Sequence, residues 1–271
     1  MTIKRKKILL TNDDSVQSTG LVEMYRKLSK FADVTIIVPH IQRSGEGKAI
    51  TLNKIIRIEK VIIGGEINAY TITGTSADAI IFGLTYLEEG PFDLVVSGIN
   101  QGLNLSSHII LTSGTCAACF EASFYNVPAI AFSMDVSAEN YFVSPNKEMF
   151  ALAAKISSVF VKNILERKFP EKIAFLNVNY PENVTLETTI KQTSIANKFL
   201  EFKPYPNKDP RNNEFFFLWG EPVKELPVGS DLEAIFNGQI SVSLVSSDLN
   251  NICQENDKNF LIDLIDKIKE N

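Results

Sequence analysis

The strongest constraint on this chain is an alternation of short apolar runs with helical stripes. Lys7-Ile8-Leu9-Leu10-Thr11 is a short apolar run, after which Leu21, Met24, Tyr25, Leu28 and Phe31 recur at helical spacing. Asp33-Val34-Thr35-Ile36-Ile37-Val38 is β-branched and ends at Pro39, so it reads as a second buried strand. Strand, helix and strand in such short succession form a βαβ unit, which implies a parallel sheet. Further strands are expected around residues 49–58, 68–73, 92–97, 129–133 and 173–178. Helices are expected from the stripe Ile80, Ile81, Leu84 and Leu87, over 115–125, and from Ser144-Pro145 along Met149, Leu152, Ile156, Phe160 and Ile164.

The fold class is therefore α/β, a doubly wound, mostly parallel sheet. After Pro181 the pattern changes to Thr-, Asn- and Pro-rich stretches with aromatic runs such as Phe215-Phe216-Phe217-Leu218-Trp219, which read as hairpins. Three units follow: an α/β core over 1–185, a β-rich extension over 186–250, and a terminal helix over 251–271 with Phe260, Leu261, Leu264, Ile265 and Ile268 on one face. The extension has few signs of a core of its own, so it is expected to serve oligomerisation, in a homodimer or tetramer.

Charge narrows the partners. With 27 basic against 32 acidic side chains, the net charge of -5 offers no general cationic field for a nucleic-acid backbone or an anionic membrane. Neither polymeric nucleic acid nor a membrane is expected as a partner, and a cytoplasmic location is expected because the N-terminal stretch lacks a signal-peptide pattern. Cys116, Cys119 and Cys253 are an odd set, and Cys116-Ala-Ala-Cys119 lies among small residues where close packing is favoured over redox or metal chemistry. The two histidines, His40 and His108, exclude a His-rich zinc site.

The chemistry concentrates in loops that follow strands. Asn12-Asp13-Asp14 comes directly after the first strand, and a buried parallel strand delivers its loop to the carboxyl edge of the sheet. Two adjacent carboxylates there repel unless a cation neutralises them, and oxygen ligands suit a hard ion such as Mg²⁺, Mn²⁺ or Ca²⁺. An isolated N-D-D can equally be an Asx turn that caps the next helix. The second strand leads to Ser44 and the third to Asn100, which bring a hydroxyl and an amide oxygen to the same edge. Ser113-Gly114-Thr115 precedes a helix whose free N–H groups and positive dipole end favour an anion such as phosphate; an ordinary N-cap is the alternative.

These stretches together resemble the SurE survival-protein nucleotidases. The resemblance is carried by LLTNDDSVQSTGL, VPHIQRSGEGKAIT, GTSADAI, DLVVSGINQGLN, SGTCAA with the later VPAIAFS, FLNVNYP, and weakly GSDLEAIFNGQISVSL, in order along nearly the whole chain. It implies a three-layer fold and a metal-dependent phosphomonoesterase that hydrolyses nucleoside monophosphates. It also implies one divalent metal ion, Mg²⁺ or Mn²⁺, held by Asp13, Asp14, Ser44 and Asn100. Asn12, Asn104, Ser113, Gly114 and Thr115 would line the phosphate pocket, with Asn12, Asp13 and Asp14 as the catalytic set. The chain departs from the family pattern at Ser15 (usually Gly), at Ser76 (usually Pro), at Thr112 (frequently Tyr), and at Ser106-Ser107-His108, read as a longer loop.

Other readings fit less well. A phosphate sensor without turnover would not need the intact ligand set, and a broad acid phosphatase would share the chemistry on other substrates. A dinucleotide oxidoreductase would place G-x-G-x-x-G after the first strand, where T-N-D-D stands. A phosphatase with an aspartyl nucleophile would want D-x-D there, and Asn12 occupies the nucleophile's place.

Overall fold

A computed structural model describes residues 5–137 and 147–249. The helix expected over 251–271, the Ser144-Pro145 helix start and Cys253 lie outside the described residues. In chain order the structure runs β1 (Lys6–Thr11), α1 (Thr19–Leu28), β2 (Ala32–Pro39), β3 (Ile58–Ile63), β4 (Ile67–Ile72), α2 (Ser76–Thr85), β5 (Leu94–Gln101), α3 (Ser106–Thr112) and α4 (Gly114–Phe124). It continues through β6 (Ala129–Met134), α5 (Lys147–Leu165), β7 (Phe175–Tyr180), β8 (Ile190–Thr193), β9 (Leu200–Lys208), β10 (Glu214–Pro222), α6 (Asp231–Phe236) and β11 (Ile240–Val245).

One nine-stranded sheet, in the order β3-β4-β2-β1-β5-β6-β7-β11-β8, organises the molecule. The run β4-β2-β1-β5-β6-β7 is parallel throughout. The chain moves outward from β1 through β2 to β4, then returns to the other flank of β1 as β5. The order therefore reverses between β1 and β5, and a crevice opens there outside the carboxyl ends of the strands.

Helices cover both faces because alternate residues of each central strand point to opposite sides. Ile8 and Leu10 of β1 pack with Leu21, Met24 and Leu28 of α1 and with Phe150, Ala153 and Ala154 of α5. Leu9 faces the other way, with Ala79 and Ile80 of α2 and with Cys116, Ala118 and Cys119 of α4. All three β1 side chains have no exposed surface, and each such burial stabilises by roughly 1.5–3 kcal/mol. The expected α/β fold, mostly parallel and three-layered, is the one observed. No helix among the described residues is long and apolar enough to cross a membrane.

Three expectations need correction. Residues 49–57 form no strand; that pair of sheet positions belongs to β3 and β4, joined through a tight turn at Gly64 and Gly65 with positive φ. Residues 106–112 are a helix, α3, not a loop, since the backbone there continues toward α4 with only Ser113 between. The boundary at 185/186 cuts through the sheet: β8 and β11 lie in it, β11 antiparallel to β7, and within 186–250 the hairpin β9–β10 is what stands apart as its own two-stranded sheet.

Close backbone approach at β5 depends on glycine. The ladder to β6 slips between Ser97 and Asn100, and Gly98 takes a positive φ of 122°, with an added Cβ falling 2.2 Å from the carbonyl oxygen of Phe132. A Cβ on Gly20 in α1 would sit 2.0 Å from the carbonyl oxygen of Ile99. Gly20→Ala is expected to force α1 off β5 and destabilise by about 1–3 kcal/mol in urea denaturation. A loss below about 0.5 kcal/mol would show that α1 shifts freely.

Candidate active site

The carboxyl ends of β1, β2 and β5 bring together what the sequence singles out. Thr11 closes β1, and Asn12, Asp13 and Asp14 turn directly off its end. Asn12 is fully buried: its side-chain amide donates to the Ser15 carbonyl (2.9 Å), and Ser76 donates to the Asn12 carbonyl (3.3 Å). It therefore sits beneath the acidic pair and shapes the turn, while Ser15 adopts a positive φ of 69°. The Asx turn that would cap the next helix is not formed: Asn12 uses its amide nitrogen, and α1 is capped by Ser18, which accepts from the Leu21 N–H.

Asp13 points at the start of α4. The Thr115 hydroxyl donates to its Oδ1 at 2.5 Å, and Gly114 packs so closely that an added Cβ would fall 2.6 Å from the Asp13 Cβ and 2.9 Å from Oδ2. A carboxylate at a helix N-terminus gains from the dipole and from unpaired N–H groups. Asp14 accepts from the side-chain amide of Gln42 (3.2 Å) and from the backbone N–H of Gln101 (3.4 Å). Gln42 also donates to the Ser44 hydroxyl (3.0 Å), so one side chain fixes Asp14 and Ser44 together. The N–H of Arg43 bonds the Asp13 carbonyl (2.8 Å), which pins the loop after β2 against the loop after β1. On β5, the amide nitrogen of Asn100 donates to the Gly102 carbonyl (2.8 Å), which leaves Oδ1 as its acceptor end.

Electrostatically the pair is under strain. Burial raises both carboxyls above the usual Asp range, and the neighbouring Asp13 adds to the effect on Asp14, which is pushed up to about 7. No salt bridge reaches either carboxylate among the described residues. The buried Asn12 Oδ1 has no partner either. Two carboxylates, a hydroxyl and an amide oxygen around an uncompensated negative charge are a donor set that fits a hard divalent cation.

The remaining sequence candidates lie beside this pair with different roles. Ser113 caps α4 by accepting from the Cys116 N–H (3.1 Å), and Thr115 is fully buried with its hydroxyl committed to Asp13. Asn104 is buried and clamped: its side-chain amide donates to Ser133 (2.7 Å), its N–H to the Asn179 Oδ1 (2.8 Å), and its carbonyl accepts from Asn177 (2.7 Å). Cys116 and Cys119 are packed inside the α2–α4 layer, and burial pushes the Cys116 thiol up to about 12 and Cys119 well above its ordinary value, so neither is a nucleophile. His108 is half-buried, edge-on to Phe202 at 5.6 Å, and its Nδ1 has no partner.

Sequence reasoning misses the supporting residues. Gln42, Ser133, Asn177, Asn179 and Asp231 have no assigned role in a linear reading. Asn177 and Asn179 do leave a signal, two polar residues two apart in a strand buried except at Leu176, which must face one side and find partners. Asp231 leaves none: it accepts from Ser106 N (2.8 Å) and Ala196 N (3.0 Å), contacts set only by the fold.

Comparison with known proteins identifies the family. The model of the survival protein SurE family matches residues 8–201. The chain belongs to the SurE family. Among its relatives is a protein named 5'-nucleotidase SurE from Methanosarcina mazei, 38% identical over 247 residues, covering 89% of this chain and 92% of the relative. Another of the same name, from Thermococcus kodakarensis, is 36% identical over 244 residues, covering 90% and 93%. The crystal structure of the SurE protein from Aquifex aeolicus superposes with a TM-score of 0.76 at 30% identity, covering 94% of this chain and 99% of that one. The resemblance seen in the motifs is thus a family membership that extends through the sheet.

The raised carboxyl of Asp14 sets a pH dependence for the protein freed of divalent ions. Its folded-state pKa of about 7 lies above the unfolded value, so the folded state holds the extra proton. Its contribution to stability is full below about pH 4 and is lost as pH rises through about 7. Urea midpoints in chelator are expected to fall across that window, and less steeply in Asp14→Asn. A midpoint unchanged between pH 5 and 8 would show that the pair carries no uncompensated charge.

Proposed function

We propose that this SurE-family protein is a nucleotidase, hydrolysing the phosphomonoester of nucleoside monophosphates. The observation that carries the reading is the adjacent Asp13 and Asp14, with Asp13 buried against the N-terminus of α4 and Asp14 partly buried, at the crevice where the strand order reverses. A phosphate monoester brings about -2 charge, which the backbone N–H groups and dipole of α4 attract and the carboxylates repel.

Asp13, Asp14, Ser44 and Asn100 would hold one divalent cation, Mg²⁺ or Mn²⁺. When bound, it supplies the positive charge that admits the dianionic ester beside the carboxylates and stabilises charge developing on the phosphoryl oxygens. The chain's own groups do the rest. Thr115 fixes Oδ1 of Asp13, so Asp13 is held in one orientation as the group that positions the attacking water and takes its proton. Gln42 holds Asp14 and Ser44 at a common spacing, and Asn12 supports the turn from below. Ser113 and Gly114 present the helix start that receives the phosphate, while the clamped Asn104 fixes the loop beside it.

The test is turnover of nucleoside monophosphates with added Mn²⁺ or Mg²⁺. Asp14→Asn keeps size and shape, and is expected to lose on the order of 10²-fold or more in kcat with a melting temperature no lower than the parent's. Full activity in protein verified to be metal-free would end the metal-assisted reading, and nucleotide binding without any turnover would make the protein a sensor.

The hairpin supports an assembly of subunits. β9 and β10 pair from Leu200↔Pro222 to Lys208↔Glu214, yet Phe216, Phe217 and Trp219 remain about 60% exposed. A two-stranded ribbon with large apolar groups on both faces is marginal alone. A homodimer or tetramer is expected by light scattering at micromolar protein, and Phe217→Ser/Trp219→Ser should lower the mass. A strictly monomeric parent would remove this assignment.

A further inference from the structure

Ser44 and Gln42 reach the acidic pair from a loop, so whatever holds that loop decides where the Ser44 hydroxyl lies. The near end is pinned to the turn after β1, through the Arg43 N–H and the Asp13 carbonyl (2.8 Å). Ser44, Gly45 and Glu46 are then exposed, and a short stretch containing Gly45 and Gly47 has little stiffness of its own. The far end is fixed to α3 and α4. The Gly47 N–H bonds the Thr112 carbonyl (2.9 Å), and an added Cβ on Gly47 would fall 2.7 Å from the Leu111 carbonyl oxygen. Lys48 follows, and its ammonium pairs with Glu121 of α4 and lies 5.1 Å from the centre of the Phe124 ring.

Glu121 is buried in the last turn of α4, where the helix dipole disfavours negative charge. A carboxylate so placed needs a cation, and Lys48 is the one that reaches it among the described residues. The other ion pair with so buried a carboxylate, Arg26 with Glu23, lies within α1, whereas Lys48 and Glu121 join a loop to a helix. Glu121 and Phe124 are one turn apart on the same face of α4, and an ammonium held by a carboxylate and an aromatic face has a narrow range of positions. The first turn of the same helix is fixed to the acidic pair, through the Thr115 hydroxyl on Asp13 and the packing of Gly114. One helix therefore touches Asp13 at its start and holds the far end of the Ser44 loop at its end.

Resting on the metal-assisted nucleotidase reading, we propose that Lys48 and Glu121 are positioning residues for Ser44. Their ion pair holds the loop after β2 against α4 and so sets the separation of the Ser44 hydroxyl from Asp13 and Asp14. Neither side chain is among the groups assigned to the phosphate or the cation, so the pair acts on cation affinity and leaves the chemical step alone.

The test is direct binding of Mn²⁺ to chelator-treated protein, read from the loss of the free-ion signal in electron paramagnetic resonance, alongside turnover and melting temperature. Lys48→Met alone leaves Glu121 buried and unpaired, so the decisive variant is Lys48→Met/Glu121→Gln, which removes both charges at similar size and is expected to melt near the parent. Its Mn²⁺ dissociation constant is expected to rise about tenfold, as when a partner behind a metal ligand is lost. At saturating Mn²⁺ its kcat should stay within about threefold of the parent, because the Asp13–Thr115 contact is untouched. Lys48→Arg keeps a cation that suits both carboxylate and aromatic face, and should bind Mn²⁺ within about threefold of the parent. Unchanged Mn²⁺ affinity in the double variant, at whatever melting temperature, would overturn the positioning role and leave the nucleotidase reading standing. A loss in Lys48→Arg equal to that of the double variant would overturn it too, because the charge would not be what places the loop. A parent protein that hydrolyses nucleotides without binding Mn²⁺ or Mg²⁺ would remove the metal-assisted reading and the positioning role with it.

Discussion

Everything at the site follows from holding two adjacent carboxylates, one buried and one partly buried, at the end of one strand. β1, whose Ile8, Leu9 and Leu10 are fully enclosed between two helical layers, carries Asp13 out of water and leaves Asp14 partly buried beside it. Burial alone makes their charge costly, and proximity adds to the cost, which is why both carboxyls rise above their ordinary range. The surrounding structure offsets part of this with oriented dipoles: the Thr115 hydroxyl, the amides of Gln42 and Gln101, and the start of α4. It provides no cationic side chain among the described residues. A fold that holds paired negative charge so rigidly, yet leaves it uncompensated, is preorganised for a positive ligand.

Bringing three loops onto that pair requires backbones to approach more closely than side chains allow. The slip in β5 leaves Gly98 and Ile99 out of the ladder before pairing resumes at Asn100 with Ser133, and it exists because Gly98 can lie against the Phe132 carbonyl. Gly20 lets α1 lie on the same irregular segment, and Gly114 lets α4 begin against Asp13. Each glycine stands where a Cβ would meet backbone or the Asp13 side chain. The short motifs around them are thus packing solutions first, and chemical signatures because of what the packing aligns.

This explains which parts were legible in the sequence. The βαβ start, the switch of helix faces and the strand-end positions of Asp13, Asp14, Ser44 and Asn100 are local consequences of periodicity, and periodicity survives in a linear reading. Residues 49–57 misled because β-branched Ile50, Thr51, Ile55 and Ile56 suggest a strand, whereas several of them stand in water beside the site and pair with nothing in the sheet. Local preference was real there and had no partner strand to act on. Residues 106–112 misled in the opposite sense: Ser106-Ser107 reads as loop, but Asp231 takes the Ser106 N–H and the Ala196 and Asn197 carbonyls take those of Ser107 and His108. A helix of this kind is started by groups from elsewhere in the chain.

The same long-range contacts decide where the C-terminal third belongs. Asp231 is fully buried, and burial raises its carboxyl even though the N–H groups of Ser106, Ala196 and Leu232 pull it down. Each of those N–H groups would be orphaned without it. They come from the loop beside Asn104, from the base of the hairpin, and from α6 itself. Leu105, Ala196, Leu232 and Ile235 close a small apolar cluster around the same junction. β11 then inserts antiparallel beside β7, whose Asn177 and Asn179 grip Asn104. The hairpin base, the last strands of the sheet and the loop carrying Asn104 are consequently one hydrogen-bonded unit. A boundary drawn from composition separates what those bonds join, and the part of the chain that looks like an appendage in sequence is bonded to the start of α3, beside Asn104.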